Sequence, residues 1–174
     1  MWCIRASAHN VPIVNGVEQQ AGREFAARRV AFEESGAVRR LAMNLEGAYP
    51  KEAGLARLRR EARFESGAAG RIVLRDDFEF TSAGFDVRLP LFTPGPARTG
   101  NTGELRIGLG PRRLRIAWDP ARLTAEIARV ELTDENLRAC WGAELTRITF
   151  HAAGQGTTFG YEIAMQPERA DESP

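Results

Sequence analysis

The sequence predicts an all-β fold: an antiparallel two-sheet β-sandwich with one or two short helical turns. Three observations point there. Large apolar residues recur at every second position in run after run, glycine or proline turns fall between the runs, and almost no stretch carries a helical period. Alternation puts one face of each strand on a core and the other in water.

The elements follow in chain order. A polar cluster holding His9 and Asn10 runs into a short apolar strand and then the turn Asn15-Gly16. Glu18 to Ala26 reads as a short helical turn. Strands follow in the alternations Leu41/Met43/Leu45, Ile72/Leu74 and Phe78/Phe80, with Arg57 to Arg63 on a further one. Leu105/Ile107/Leu109 and Leu114/Ile116/Trp118 continue the pattern. Thr133 to Cys140 is the second helical turn, N-capped by Thr133 or Asp134. Ile148 to Phe150 and Phe159/Tyr161/Ile163/Met165 close the sequence of strands. Turns are predicted at Ser35-Gly36, Ser66-Gly67, Thr93 to Pro96, Gly110-Pro111, Asp119-Pro120 and Gly154 to Gly156. No internal repeat or linker divides the chain, so residues 1–167 form one domain and 168–174 a polar tail.

At 174 residues a single domain buries a substantial core without staples. Lys and Arg total 24 against 23 acidic residues, which leaves no net field to steer the chain to nucleic acid or to a membrane. Lys51 is the only lysine. The remaining cations are arginines, whose planar fork suits carboxylates and sulfates. Cys3 and Cys140 make no disulfide framework and lack metal-ligand spacing; they read as two reduced thiols or one bridge. No run is long enough to span a bilayer and none resembles a signal segment, so with Met1 as the start the expectation is a cytoplasmic protein. A titratable cluster so near Met1 also predicts that the rest of a site comes from elsewhere.

Ser7-x-His9-Asn10-x-Pro12-x-x-Asn15-Gly16-x-x-Gln19 resembles the start of the C-terminal β-sandwich of heparinase II/III-like polysaccharide lyases. Later features come in the order of that domain: Ala48-Tyr49-Pro50, the basic run Arg57 to Arg63, the strand Arg71 to Phe78, and a closing segment holding Asp134, Leu137, Trp141-Gly142 and Arg147-Ile148. The resemblance implies β-elimination on a uronic-acid polysaccharide. A base takes the proton from C5, the uronate carboxylate is neutralised, and an acid protonates the leaving oxygen on C4. It further implies an upstream helical toroid, in cis or in trans, that supplies the partner acid and base groups. The expected ligand is an acidic polysaccharide or oligosaccharide, with no cofactor.

On that resemblance His9 and Tyr49 are the catalytic candidates, and Asn10, Gln19 and Arg60 the substrate-binding ones. Each has a structural alternative. His9 acts as base or as a cation beside the carboxylate, or it caps a strand start. Asn10 reaches the substrate or bonds its own loop. Gln19 reaches a sugar hydroxyl or caps the helical turn beside it. Tyr49 touches a sugar oxygen or packs the sandwich rim. Arg60 is the pick of the basic run for a substrate carboxylate; the run otherwise reads as a solvated face.

His151 reads as structural, Trp118 as core and Trp141 as the anchor of the closing loop. Some members of the family hold a metal through a second His two positions after the first. Val11 stands there, and no metal is expected. Gly100 to Gly103 lacks the pattern of a phosphate loop, Gly103/Gly108/Gly110 are not spaced as a dinucleotide fingerprint, and Ser7 with His9 lacks a triad acid. Two other functions fit a lone sandwich: a non-catalytic carbohydrate-binding module, and a docking module for a separate helical chain.

Overall fold

The computed structural model describes residues 5–67 and 69–168. Its strands are β1 (Ile13–Val14), β2 (Arg28–Ser35), β3 (Val38–Asn44), β4 (Leu55–Glu65), β5 (Arg71–Phe80), β6 (Phe85–Thr93), β7 (Ala97–Thr99), β8 (Glu104–Leu109), β9 (Arg112–Trp118), β10 (Thr124–Glu131), β11 (Glu144–Gly154) and β12 (Thr158–Glu168). One helix, α1 (Glu135–Trp141), lies between β10 and β11. The strands form a four-stranded sheet, ordered β1-β6-β11-β10, and an eight-stranded sheet, ordered β2-β3-β4-β5-β12-β9-β8-β7. Every pairing is antiparallel. This is the predicted two-sheet sandwich.

The alternating residues supply the core between the sheets. Val14, Val87, Leu89, Ile148 and Phe150 come from the smaller sheet, and Leu58, Phe78, Leu105, Ile116 and Ile163 from the larger. Rings thicken one end: Phe80, Phe85 and Phe159 stack in series at centroid distances of 5.0 and 4.8 Å. Trp118 belongs to this core, set edge-on to Phe150, with its indole N–H donating to the Leu123 carbonyl at 2.8 Å.

The smaller sheet does not cover all of the larger one. Cross-strand register places Phe32, Leu41, Ala62, Phe64 and Ile72 on the core-facing side of β2 to β5. Yet Phe32 is 62% exposed and Ile72 42%. The core-side face therefore continues as bare apolar surface towards the edge strand β2.

Three local features depart from expectation or extend it. Residues Glu18 to Ala26 form no helix. Instead the backbone N–H groups of Gln20 and Ala26 donate to the carbonyls of Ala48 and Gly47, tying the segment down on either side of a single turn in which the Phe25 N–H donates to the Gly22 carbonyl, with Gly22 at φ +145°. The second helical turn is α1, with the Asp134 carboxylate accepting from the N–H groups of Asn136 and Leu137 as its N-cap. β12 runs through Glu168, which accepts from Arg106 at 2.7 Å, so the sheet passes the 167/168 boundary by one residue. Cys140 is exposed, while Cys3 and residues 169–174 lie outside the described residues.

Candidate functional site

The segment holding His9 is the first stretch of chain against the edge of β6, and side chains rather than strand pairing fix most of it. At its start Glu18 accepts from the Ser7 N–H at 2.9 Å and from Arg5 at 2.6 Å, closing a 3-10 turn over Ala6–Ala8. Burial opposes the charge on Glu18, but these bonds outweigh it and hold the carboxyl below its ordinary value. At its end, Asn15 at φ 53° and Gly16 at φ 75° make a two-residue hairpin loop between Val14 and Val17. Asn15 is tolerated there because its short amide bonds the surroundings. It donates to the Ala53 carbonyl and accepts from the Asp86 N–H, both at 2.9 Å.

Between these anchors the backbone is clamped from inside the sandwich. Arg60 reaches out of β4 with its Nη1 donating to the Asn10 carbonyl at 2.9 Å. Its Nε and Nη2 form a fork on Asp76 at 2.7 and 2.6 Å. Asp76 is fully buried and also accepts from the Tyr161 hydroxyl. The Tyr49 hydroxyl donates to the Pro12 carbonyl at 2.5 Å and receives a long contact from Gln19 at 3.5 Å. Burial alone would push the Arg60 guanidinium down, but the attraction of Asp76 wins and holds it above its ordinary value. Burial raises Tyr49 well above the usual phenol range, and burial with the neighbouring Asp76 charge does the same to Tyr161.

All five residues singled out from the sequence thus meet in one place, but at different depths. His9 and Asn10 are exposed. The Asn10 side-chain oxygen accepts from the Phe92 N–H of β6 at 3.3 Å, a bond to the sheet and not to its own loop. Tyr49 is 6% exposed and Arg60 8%; the Tyr49 hydroxyl and the Arg60 Nη1 bond the backbone of the segment carrying His9, and the other Arg60 nitrogens bond Asp76. Neither presents a free donor to solvent. Gln19, half-buried, stands behind them. Asp76 and Tyr161 complete the cluster. Their signal in the sequence was the strand phase, since Asp76 alternates with Leu74 and Phe78 on the apolar face, where a carboxylate requires a partner.

His9 opens onto a cavity of about 260 Å³ lined by Ala8, Phe92, Pro94, Leu137, Leu145 and Trp141, among others. Trp141 is 52% exposed. The His-Asn segment and the Trp-Gly segment, more than a hundred residues apart in the chain, therefore build one pocket, and Trp141 forms its wall instead of anchoring a loop. An exposed indole beside an imidazole offers a sugar ring an apolar face and a proton-transferring group together. His151 lies outside this pocket, half-exposed and bonded to Asp86 at 3.1 Å. No group of three or more His, Cys, Asp or Glu among the described residues could hold a metal ion.

No family model and no curated protein sequence matches the chain. Solved structures do. Heparan sulfate lyase HepC from Pedobacter heparinus superposes with a TM-score of 0.71 at 14% identity, over 99% of this chain and 26% of that one. Heparinase III superposes with a TM-score of 0.65 at 15% identity, again over 99% of this chain and 26% of that one. The chain spans about a quarter of the lyases it matches, which carry further domains beside the matched part. In fold, this chain is similar to the β-sandwich part of heparinase III-type lyases, as its His-Asn and Trp-Gly segments led one to expect.

Proposed function

We propose that the chain is the C-terminal sandwich domain of a polysaccharide lyase cleaving uronic-acid polysaccharide by β-elimination, with His9 as its contribution to the reacting centre. The observation that carries this is the placement of His9: exposed, beside an exposed indole, on a backbone clamped by a buried Arg–Asp pair. A catalytic base gains most from being held in one orientation, and an ion pair buried under a surface loop makes structural sense as such a holder. The likeness to heparan sulfate lyases supplies the chemistry. His9 takes the C5 proton, the C5–H electrons form the C4–C5 double bond, the C4–O bond breaks, and the leaving oxygen takes a proton. That last proton comes from another domain. Tyr49, buried and raised far from neutral, acts here as a positioning residue with Arg60 and Gln19, while Asn10 holds the loop to β6.

The first test is the denatured mass of the native product, detected by antibody to this chain. A species far above 19.2 kDa is expected, and in that longer protein His9→Ala should abolish formation of unsaturated uronate ends while substrate binding persists. A native species at 19.2 kDa would overturn the reading. A second reading, docking to a separate helical chain, is favoured by the bare apolar surface around Phe32, Phe64 and Ile72. It predicts self-association that Phe32→Ser relieves.

A further inference from the structure

The cavity beside His9 does not end the usable surface on that side of the molecule. Phe92 and Leu145, which line it, belong to the outward face of the smaller sheet. Register carries that face onward. Phe92 pairs with Arg147, Pro90 with Thr149, and Arg88 with His151, so Arg147, Thr149 and His151 stand in file along one side of β11. Glu126 and Thr124 of β10 continue the last two rows, opposite Thr149 and His151, and Ile13 of β1 continues the row of Arg88. A second cavity of about 470 Å³ lies over these rows, lined by Ser7, Arg88, Pro90, Glu126, Arg147, Thr149 and His151, among others. Ser7 is two residues from His9, so the two cavities adjoin along the same segment of chain. The larger one falls in the size range of small-ligand sites.

Its chemistry differs from that of the first. Asp86 grips both Arg88, at 3.1 Å, and His151, at 3.1 Å, which fixes the two side chains side by side at the far end. Arg147, at the end near His9, makes no hydrogen bond or ion pair among the described residues and is exposed. Between the two ends lie only Pro90 and Thr149, a low floor. Strand geometry sets Arg147 and His151, four residues apart, about 13 Å from one another. An unpaired guanidinium at one end and a held Arg–His pair at the other suit a sugar chain bearing anionic groups, while the Thr149 and Thr124 hydroxyls and the Glu126 carboxylate at the flank suit its hydroxyl groups.

We infer that the outward face of the smaller sheet is an extended saccharide track, in which Arg147 reads an anionic group, carboxylate or sulfate, of a sugar unit lying beyond the one at His9, with Arg88 and His151 holding the unit after it. This rests on the proposed role of His9. The track lies wholly on this chain, so the chain alone should bind. The test is calorimetric titration at low salt with a heparin hexasaccharide, an unsulfated N-acetylheparosan hexasaccharide and neutral cellohexaose, for the wild type and for Arg147→Gln, His151→Ala, Trp141→Ala and, in the turn between β9 and β10, Arg122→Gln.

Binding of an acidic hexasaccharide but not of cellohexaose is expected. Arg147→Gln should weaken it about tenfold, the size of one charge-assisted bond, and His151→Ala should weaken it less, with thermal stability and Arg122→Gln unaffected. Equal binding of the two acidic probes assigns Arg147 to the carboxylate; a preference for heparin assigns it to sulfate. If Arg147→Gln and His151→Ala bind as the wild type does while Trp141→Ala fails, the track is refuted and the His9 cavity stands. If the wild type binds neither acidic probe, the track and the saccharide reading of the cavity fall together.

Discussion

Arg60→Met tests whether the buried pair is what holds the His9 segment. The substitution keeps an unbranched side chain of similar reach and removes the charge. It leaves the Asp76 carboxylate, with 0% exposure, facing only the Tyr161 hydroxyl, and leaves the Asn10 carbonyl without its internal donor. Breaking a buried ion pair by removing one partner costs about 3–5 kcal/mol. For a chain of 174 residues each kcal/mol lowers the melting temperature by about 3 °C, so a fall of roughly 9–15 °C is expected. Removing both charges, in Arg60→Met with Asp76→Leu, no longer strands a charge. The double variant should recover about half of the loss, while Tyr161 and the Asn10 carbonyl remain unsatisfied at about 1–3 kcal/mol together. Thermal unfolding followed by circular dichroism gives the stabilities, and hydrogen exchange over residues 9–14 gives the local effect. The reasoning fails if the single variant loses less than about 3 °C, or if the double variant loses the sum of the two singles.

Three further outcomes follow from the same geometry. Tyr49 and Tyr161 stay protonated in the fold when the unfolded chain begins to ionise, so above about pH 10 the native state holds more protons and stability falls as pH rises. At pH 11 the pair should cost about 3 kcal/mol, seen as a steep alkaline drop in melting temperature that Tyr49→Phe halves. Glu18, held below its ordinary value, contributes stability that is complete above about pH 4.3 and is lost as pH falls through its lowered value. Hydrogen exchange at Ser7 to His9 should therefore quicken in that acid window, and Glu18→Gln should show the fast rate at neutral pH. Gly103 sits at φ +77°, and a Cβ there would lie 2.7 Å from the Trp118 carbonyl oxygen, which is backbone and cannot yield. Gly103→Ala should cost about 2 kcal/mol or more by chemical denaturation, and a loss below 0.5 kcal/mol would contradict that geometry.

The strands were legible because burial on one face imposes a period of two, and every predicted turn falls at a connection or strand end. The segment Glu18 to Ala26 misled because polar and alanine-rich composition suits a helix, but a helix needs a face to bury. Here the carbonyls of Gly47 and Ala48 captured the backbone first. The site residues were legible as types and not as depths. Motif order alone does not say that Tyr49 and Arg60 point inward; strand phase does for Arg60, which alternates with Leu58 and Ala62 on the core side of β4. The same phase argument turns His151 outward, since Phe150 and Ala152 beside it are buried. Trp141 escaped because its exposure depends on how α1 is set against the sheet, a tertiary fact without a local signature.

The distribution of arginine decides which face of a chain with a net charge of +1 offers an acidic polymer the better purchase. On the outward face of the larger sheet most arginines of the central strands are met by acids, Arg40 and Arg59 by Glu61, Arg57 by Glu79, Arg63 by Glu65, Arg75 by Asp77 and Arg115 by Glu104, while Arg98 at the β7 edge meets none among the described residues. Such exposed pairs add little to stability. They do cancel the field around the basic run Arg57 to Arg63, which therefore offers an anion no net attraction. The smaller sheet carries fewer arginines but leaves Arg147 unanswered beside the His9 cavity. A polyanion reads local, unpaired charge within about a Debye length of 10 Å, not the sum over the molecule. The proposed selectivity for an acidic saccharide therefore rests on the smaller sheet, next to the group proposed to act on it.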